Sequence, residues 1–296
     1  MSPVTVTWRA LAGSVAERLG QRGVEGAERN ARFIVEKACG AEPGEWPSVS
    51  EQPATRRGVA AVDAMTARRL EGEPLQYVLA EWSFRHLDLY LDRRVLIPRP
   101  ETEVVAGAAL AELERLAPGG ASIVAADLGT GSGAIGLALA SEHRGVEIWL
   151  TDASAGALAV ARANLTGIGW VGHRVMVRAG SWFEALPGHL AGRLGLVVSN
   201  PPYVAAGDVL PAEVAGWEPR HALVAGPDGT EHLVHLVSEA PRWLATGGSL
   251  VLEMAPAQTG PMAALASKLF DEVVVAPDLA GRDRMLIARQ ARTSAH

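Results

Sequence analysis

At 296 residues and 48% hydrophobic, the chain carries enough apolar material for a full core and exceeds one average domain of roughly 100–200 residues, so two domains are expected. No apolar run approaches the ~18 residues of a membrane span, and Arg9, Glu17 and Arg18 interrupt residues 1–20 where a signal peptide would be apolar, which points to the cytoplasm. A formal charge of −6 argues against a broad basic surface for long nucleic acid, and the single cysteine, Cys39, excludes an intramolecular disulfide or a multi-cysteine metal site.

Between Thr7 and Gly72 the apolar residues recur at helical spacing: Leu11, Val15 and Leu19, then Ala31, Ile34, Val35 and Ala38, then Val59, Val62, Met65 and Leu70. This predicts a small helical domain over 1–74, with Cys39 in a helix core and a proline-broken loop over 40–53 containing Pro43, Pro47 and Pro53. After Gly72 the residues Tyr77, Leu79, Trp82, Phe84, Leu87, Leu89 and Leu91 alternate roughly with polar neighbours, which predicts a β-hairpin linker over 75–100. The linker runs into Ile97-Pro98-Arg99-Pro100-Glu101-Thr102-Glu103, an extended loop from which Thr102 starts a helix ending near Leu116.

Beyond Pro118, strands and helices alternate as in a doubly wound sheet, with strands expected at 122–128, 146–151, 174–178, 194–199, 249–253, 272–276 and 284–289. The last two form a hairpin around Pro277 and Gly281. An antiparallel hairpin closing an otherwise parallel sheet marks the methyltransferase version of the Rossmann-like fold, so residues 101–296 are expected to form that domain. His232 and His235 lie one helical turn apart, a spacing that a partly exposed helix face explains without a metal, and no HExxH pattern occurs.

Asp127-Leu128-Gly129-Thr130-Gly131-Ser132-Gly133 follows a buried strand and precedes a helix containing Ile135, Leu137 and Leu139. Glycines let the backbone turn sharply against a ligand, and the helix start presents unpaired N–H groups to it. Gly131-x-Gly133-x-x-Gly136 also satisfies the dinucleotide fingerprint, so a dehydrogenase stays open on this loop alone. Asp152, at the end of the next strand, can accept both ribose hydroxyls of an adenosine in either cofactor. Asp127 favours S-adenosylmethionine, because a carboxylate there answers a positive amino and sulfonium end but repels a pyrophosphate; bracing the loop is its other reading. Trp182 and Phe183 follow the third strand, where a ring can pack on adenine or on the core.

Asn200-Pro201-Pro202-Tyr203 follows the apolar strand ending at Ser199, at the sheet edge where open α/β folds bind ligands. A proline-rich strand terminator is the plain reading. Two prolines also stiffen the loop and free carbonyls to accept hydrogen bonds. A planar amide or arylamine nitrogen is a poor nucleophile because its lone pair is delocalised. The Asn200 side-chain oxygen and the Pro201 carbonyl can each take one N–H of such a nitrogen and aim its lone pair at a methyl group, while Tyr203 stacks on the flat acceptor.

Glycine loop and tetrapeptide together resemble the amino-group methyltransferases. With Glu71-Gly72-Glu73-Pro74-Leu75-Gln76-Tyr77, the Ile97–Glu103 run, Trp217-Glu218-Pro219 and Ala222-Leu223-Val224-Ala225-Gly226, nearly the whole chain resembles the release factor glutamine methyltransferases. The resemblance implies a class I methyltransferase sheet behind a helical substrate-recognition domain. It implies that Gly129, Thr130, Gly131, Ser132, Gly133, Asp152 and Trp182 contact S-adenosylmethionine and that Asn200 to Tyr203 hold the glutamine of a Gly-Gly-Gln tripeptide in class 1 peptide chain release factors. The product is then N5-methylglutamine. Ser181 stands where many relatives have an acidic residue, and Arg99 and Glu103 are read as bracing the linker or meeting the acceptor protein. Two alternatives share the tetrapeptide: an adenine-N6 DNA or RNA methyltransferase, which the charge disfavours, and a glutamine methyltransferase of a ribosomal protein, which usually lacks the Pro-Glu-Thr-Glu continuation.

Overall fold

A computed structural model of the chain describes residues 6–42 and 44–292; Pro43 and most of the polar tail, 293–296, lie outside the described residues. The chain divides into two compact units, Met1–Trp82 and Ser83–His296. In the first, helices α1 (Trp8–Gln21), α2 (Ala27–Cys39), α3 (Trp46–Val49), α4 (Arg56–Leu70) and α5 (Leu75–Leu79) enclose one core. Thr7 and Thr55 start α1 and α4 by accepting from the Ala10 and Gly58 amides at 3.2 and 3.0 Å, as N-caps do. The inward stripes Leu11, Val15 and Leu19, Ile34 and Val35, and Val62 bury together with Leu75, Val78 and Leu79. Cys39 ends α2 half-buried, its thiol donating to the Glu36 carbonyl.

Two expectations fail here. Residues 40–53 are not loop throughout, since Pro47 sits in the first turn of α3, where its missing N–H costs nothing. Residues 75–79 are a helical turn rather than the first part of a hairpin. Pro74 precedes that turn, Leu75, Val78 and Leu79 all face the helical core, and the Arg68 guanidinium donates to the Tyr77 and Val78 carbonyls at the end of the short helix. The hairpin itself is shorter than expected, β1 (Trp82–Phe84) and β2 (Leu87–Leu89), turned through Arg85 at φ 53°.

In the second unit the segment after β2 runs without regular structure to α6 (Pro100–Leu116). Asn164 anchors it by pairing with both backbone groups of Tyr90 while donating to the Ser132 carbonyl at 2.8 Å. Helix α6 begins at Pro100, two residues before the expected Thr102, because proline suits the first helical turn; this leaves the Thr102 hydroxyl unspent as a cap.

The remaining elements are β3 (Ile123–Leu128), α7 (Ala134–Glu142), β4 (Val146–Asp152), α8 (Ala155–Ile168), β5 (Val175–Ala179), β6 (Leu194–Ser199), β7 (Val204–Ala205), α9 (Ala212–Trp217), β8 (Val224–Gly226), α10 (Glu231–Trp243), β9 (Leu244–Glu253), α11 (Pro256–Ala266), β10 (Phe270–Pro277) and β11 (Asp283–Ala291). Seven strands form one sheet in the order β10-β11-β9-β6-β3-β4-β5, antiparallel at β10/β11 and β11/β9 and parallel elsewhere. This is the class I methyltransferase arrangement. Strands β3 and β6 are buried almost throughout, as a sheet covered on both faces demands, and they lie side by side at its centre. A buried carboxylate, Glu112 of α6, ties the helix to the sheet by accepting from Arg289, Arg115 and the Ser249 hydroxyl; burial alone would raise its pKa, but these bonds outweigh it and hold it below the ordinary value. Among the described residues no helix is long and apolar enough to cross a membrane.

Candidate active site

The carboxyl ends of β3, β4, β5 and β6 open on a concave cleft, where open α/β sheets bind ligands. Its wall brings together Asp127, Gly129, Thr130, Gly131, Ser132, Asp152, Trp182, Asn200 and Pro202 of the expected site residues, with Ser181 beside them. Gly133, Pro201 and Tyr203 do not line it. Gly133 sits behind the loop as the residue preceding α7, Pro201 is buried, and the Tyr203 side chain packs against the main core. The glycine loop and the tetrapeptide meet because they leave adjacent strands. The Ser199 hydroxyl donates to the Leu128 carbonyl at 2.6 Å and pins the two strand ends to each other.

Gly129 adopts φ 70°, and a Cβ there would stand 3.0 Å from the Trp182 ring. Only glycine therefore permits both the turn and the ring's approach. Trp182 itself has φ 46°, unusual for a bulky residue and a sign that the surroundings impose its position. Its ring lies close to Gly129 and to the His232 imidazole, whose centroid is 5.0 Å away, and burial lowers the His232 pKa. Phe183 turns the other way and stacks on Trp243 in the core. His235 lies near the same Phe183 ring, so the two helix histidines serve different surroundings.

Asp152 accepts from the Gly131 amide at 2.9 Å and the Ser154 amide at 2.8 Å, one on each oxygen. An ionised carboxylate offers about four lone-pair sites, so both oxygens keep capacity for further donors. Asp127 is buried, and its Oδ2 accepts from the Thr130 hydroxyl at 2.6 Å and the Gly136 amide at 2.9 Å. It braces the loop and also faces the cleft.

Burial pushes the Asp127 carboxyl up to about 6, the Thr130 and Gly136 bonds pull it back, and the Asp152 charge adds to the rise. The folded protein then holds this proton more tightly than the unfolded chain, whose carboxyl titrates near 3.8. The group's contribution to unfolding free energy is greatest below that value and falls as pH rises through the window to about 6, by about 3 kcal/mol. Asp127→Asn is expected to lack this slope. In chemical denaturation the stability difference between the variant and the parent should move towards the variant between pH 4 and pH 7 by about that amount; a difference that stays constant with pH contradicts it.

The tetrapeptide's other contacts involve residues that sequence reasoning did not assign to the site. The Asn200 Nδ2 donates to the Thr102 hydroxyl at 3.2 Å, the Tyr203 hydroxyl to Glu253 Oε1 at 3.3 Å, and the Tyr203 carbonyl accepts from Gln258 at 2.9 Å. Arg99 pairs with Glu218, which is buried and also accepts from the Ile97 amide at 3.1 Å, while Arg93 lies over the Trp217 ring at 4.9 Å. So Arg99 braces the Ile97–Glu103 run against the Trp217-Glu218-Pro219 segment. Glu103 enters through its carbonyl, which accepts from Arg85. Pro98 and Thr102, from the first of these segments, and His221, just beyond the second, also line the cleft.

Residues 12–79 match the family described as PrmC N-terminal domain, and residues 107–215 match the methyltransferase small domain. A release factor glutamine methyltransferase of Cereibacter sphaeroides is 36% identical over 275 residues, 92% of this chain and 94% of that protein. One of Moorella thermoacetica is 38% identical over 291 residues, 96% of this chain and 98% of that protein. Among solved structures, a 16S rRNA methyltransferase of T. thermophilus in complex with AdoMet and guanosine has a TM-score of 0.50 at 19% identity, covering 71% of this chain and 49% of that one, a likeness of fold.

Proposed function

The chain belongs to the release factor glutamine methyltransferase family, and from that we propose that it methylates the N5 amide of the glutamine in the Gly-Gly-Gln tripeptide of class 1 release factors, in the cytoplasm. The observation that carries this reading is the shared cleft. Asn200 and Pro202 line the same space as Gly129, Gly131 and Asp152, so an amide held by the tetrapeptide and a donor held by the glycine loop occupy one enclosure.

S-adenosylmethionine is the methyl donor, and bound there it supplies an electrophilic methyl on a sulfonium. The residues present fit it. Asp152 would accept from its ribose hydroxyls, Trp182 would cover its adenine with Ser181 at the rim, and the amides of the loop from Gly129 to Ser132 and the start of α7 behind Gly133 would receive its carboxylate. Asp127 is ionised at neutral pH despite its burial, so a cation placed beside it recovers part of that cost. The donor's ammonium is such a cation.

At the acceptor end the chain's task is orientation. The Asn200 Oδ1, on the cleft wall, accepts one N–H of the glutamine amide and favours the geometry in which its lone pair points at the methyl group. The two prolines that follow hold this acceptor still. With its hydroxyl tied to Glu253 and its side chain against the core, Tyr203 braces the tetrapeptide from behind.

Incubation of the protein with S-adenosylmethionine and class 1 release factors, followed by peptide mass spectrometry, is expected to place one methyl on the Gly-Gly-Gln glutamine. A methyl confined to other residues, or appearing only on adenine in added nucleic acid, overturns the reading.

A further inference from the structure

Gln258 lies in the first turn of α11, and its side-chain amide ties together three stretches of backbone. The Oε1 accepts from the Ala255 amide at 3.0 Å, the ordinary task of a glutamine at the third position of a helix. The Nε2 does something the helix does not need. It donates at 2.9 Å to the carbonyl of Tyr203, the last residue of the tetrapeptide, and at 3.0 Å to that of Gly229, in the turn before α10. An amide nitrogen has two hydrogens, and both are spent here. Since the Ala255 N–H needs an acceptor and the two carbonyls need donors, the carboxamide can stand only one way round.

This clasp closes on a stretch of backbone poor in donors. Pro201 and Pro202 carry no N–H, so two consecutive residues beyond Asn200 have nothing to give a neighbouring carbonyl. They also make a stiff rod, and fixing its far end at Tyr203 fixes where Asn200 stands at the near end. The Tyr203 hydroxyl's bond to Glu253 is longer, 3.3 Å, and holds the ring rather than the backbone. The Gly229 turn is packed hard on the same segment: a Cβ there would stand 2.8 Å from the Tyr203 carbonyl oxygen and 2.9 Å from the Ala205 nitrogen. Gln258 itself stands outside the cleft, whereas Asn200 and Pro202 line it. We propose that Gln258 is a positioning residue for the acceptor, which through the Tyr203 carbonyl keeps the Asn200 carboxamide at its place on the cleft wall.

This proposal rests on the reading of Asn200 as the acceptor of a substrate N–H, and its test separates the two. Gln258→Glu keeps an oxygen for the Ala255 amide, and with it the helix cap, but once ionised at neutral pH it has no hydrogen for either carbonyl. Gln258→Met fills similar space and supplies neither. Each is expected to lower kcat on a release factor at least about tenfold, since a displacement of about 1 Å at a reacting centre costs that much or more. The S-adenosylmethionine Kd should stay within about twofold. Added to Asn200→Ala, Gln258→Glu should slow turnover no further, because it acts through the side chain already removed. Circular dichroism melts accompany each variant; Gln258→Glu, which keeps the cap, carries the test if Gln258→Met does not fold. A parental kcat in Gln258→Glu confines the amide to capping α11 and overturns the positioning role. Multiplicative losses in the double variant, or a donor affinity that falls in step with kcat, overturn it equally. If Asn200→Ala is inactive while Gln258→Glu turns over normally, only the Gln258 proposal fails. If Asn200→Ala keeps full turnover, the reading beneath it fails, and the positioning role with it.

Discussion

Asn200→Ala is expected to reduce kcat on a release factor by roughly 10²–10³-fold, the loss typical of removing one preorganised polar group from a reacting centre. The amide nitrogen of glutamine reacts only when its lone pair is turned out of conjugation, and a fixed acceptor favours that turn. Alanine removes that acceptor, so the substrate still enters but rotates freely. Donor affinity should stay within about twofold, because Asn200 bonds to Thr102 on the acceptor side while the glycine loop and Asp152 bond among themselves. Calorimetry with S-adenosylmethionine beside steady-state kinetics distinguishes the outcomes. Equal losses of affinity and turnover would place Asn200 in the donor site instead.

Much of this architecture is legible in the sequence because its signals are local. Apolar runs bounded by glycine or charge predict all seven strands of the main sheet, and the observed ends differ mainly by residues that pairing adds, as where β9 extends back to Leu244. The glycine loop and the tetrapeptide are contiguous motifs, so their placement at the ends of neighbouring strands follows once the strands are known. Residues 75–79 mislead for the opposite reason. Tyr77 and Leu79 alternate like a strand, and what makes them helical is the distant Arg68 side chain together with a core built from other helices.

The acceptor side was less legible, because its chemistry depends on where side chains point. The order Asn-Pro-Pro-Tyr suggests four residues facing one ligand. The structure turns Tyr203 towards Glu253, 50 positions further along the chain, and buries Pro201. Thr102 was visible only as a helix start. Its place beside Asn200 arises because Pro100 takes over that start, leaving the hydroxyl free to accept from the residue that follows β6. The histidine pair shows the same limit: spacing places His232 and His235 on one helix face, but only the fold reveals that His232 backs the Trp182 ring.

Gly136→Val is expected to dismantle the donor site altogether, lowering S-adenosylmethionine affinity at least about 100-fold and stability by roughly 1–3 kcal/mol or more. A Cβ at Gly136 would come within 2.1 Å of a Leu150 methyl and 3.0 Å of Asp127 Oδ2. The backbone conformation is ordinary, so the reason for glycine here is space: α7 must approach β4 this closely for its first turn to sit behind the loop. Valine forces α7 outward, which lengthens the Gly136 amide bond to Asp127 and releases the carboxylate that also holds Thr130. The loop then loses its brace from behind at the same moment that its helix start withdraws from the cleft. A thermal melt and a calorimetric titration together decide the matter. A variant that melts lower yet binds the donor with parental affinity would show that the close approach serves packing alone, whereas parallel losses tie the glycine to the site that it supports.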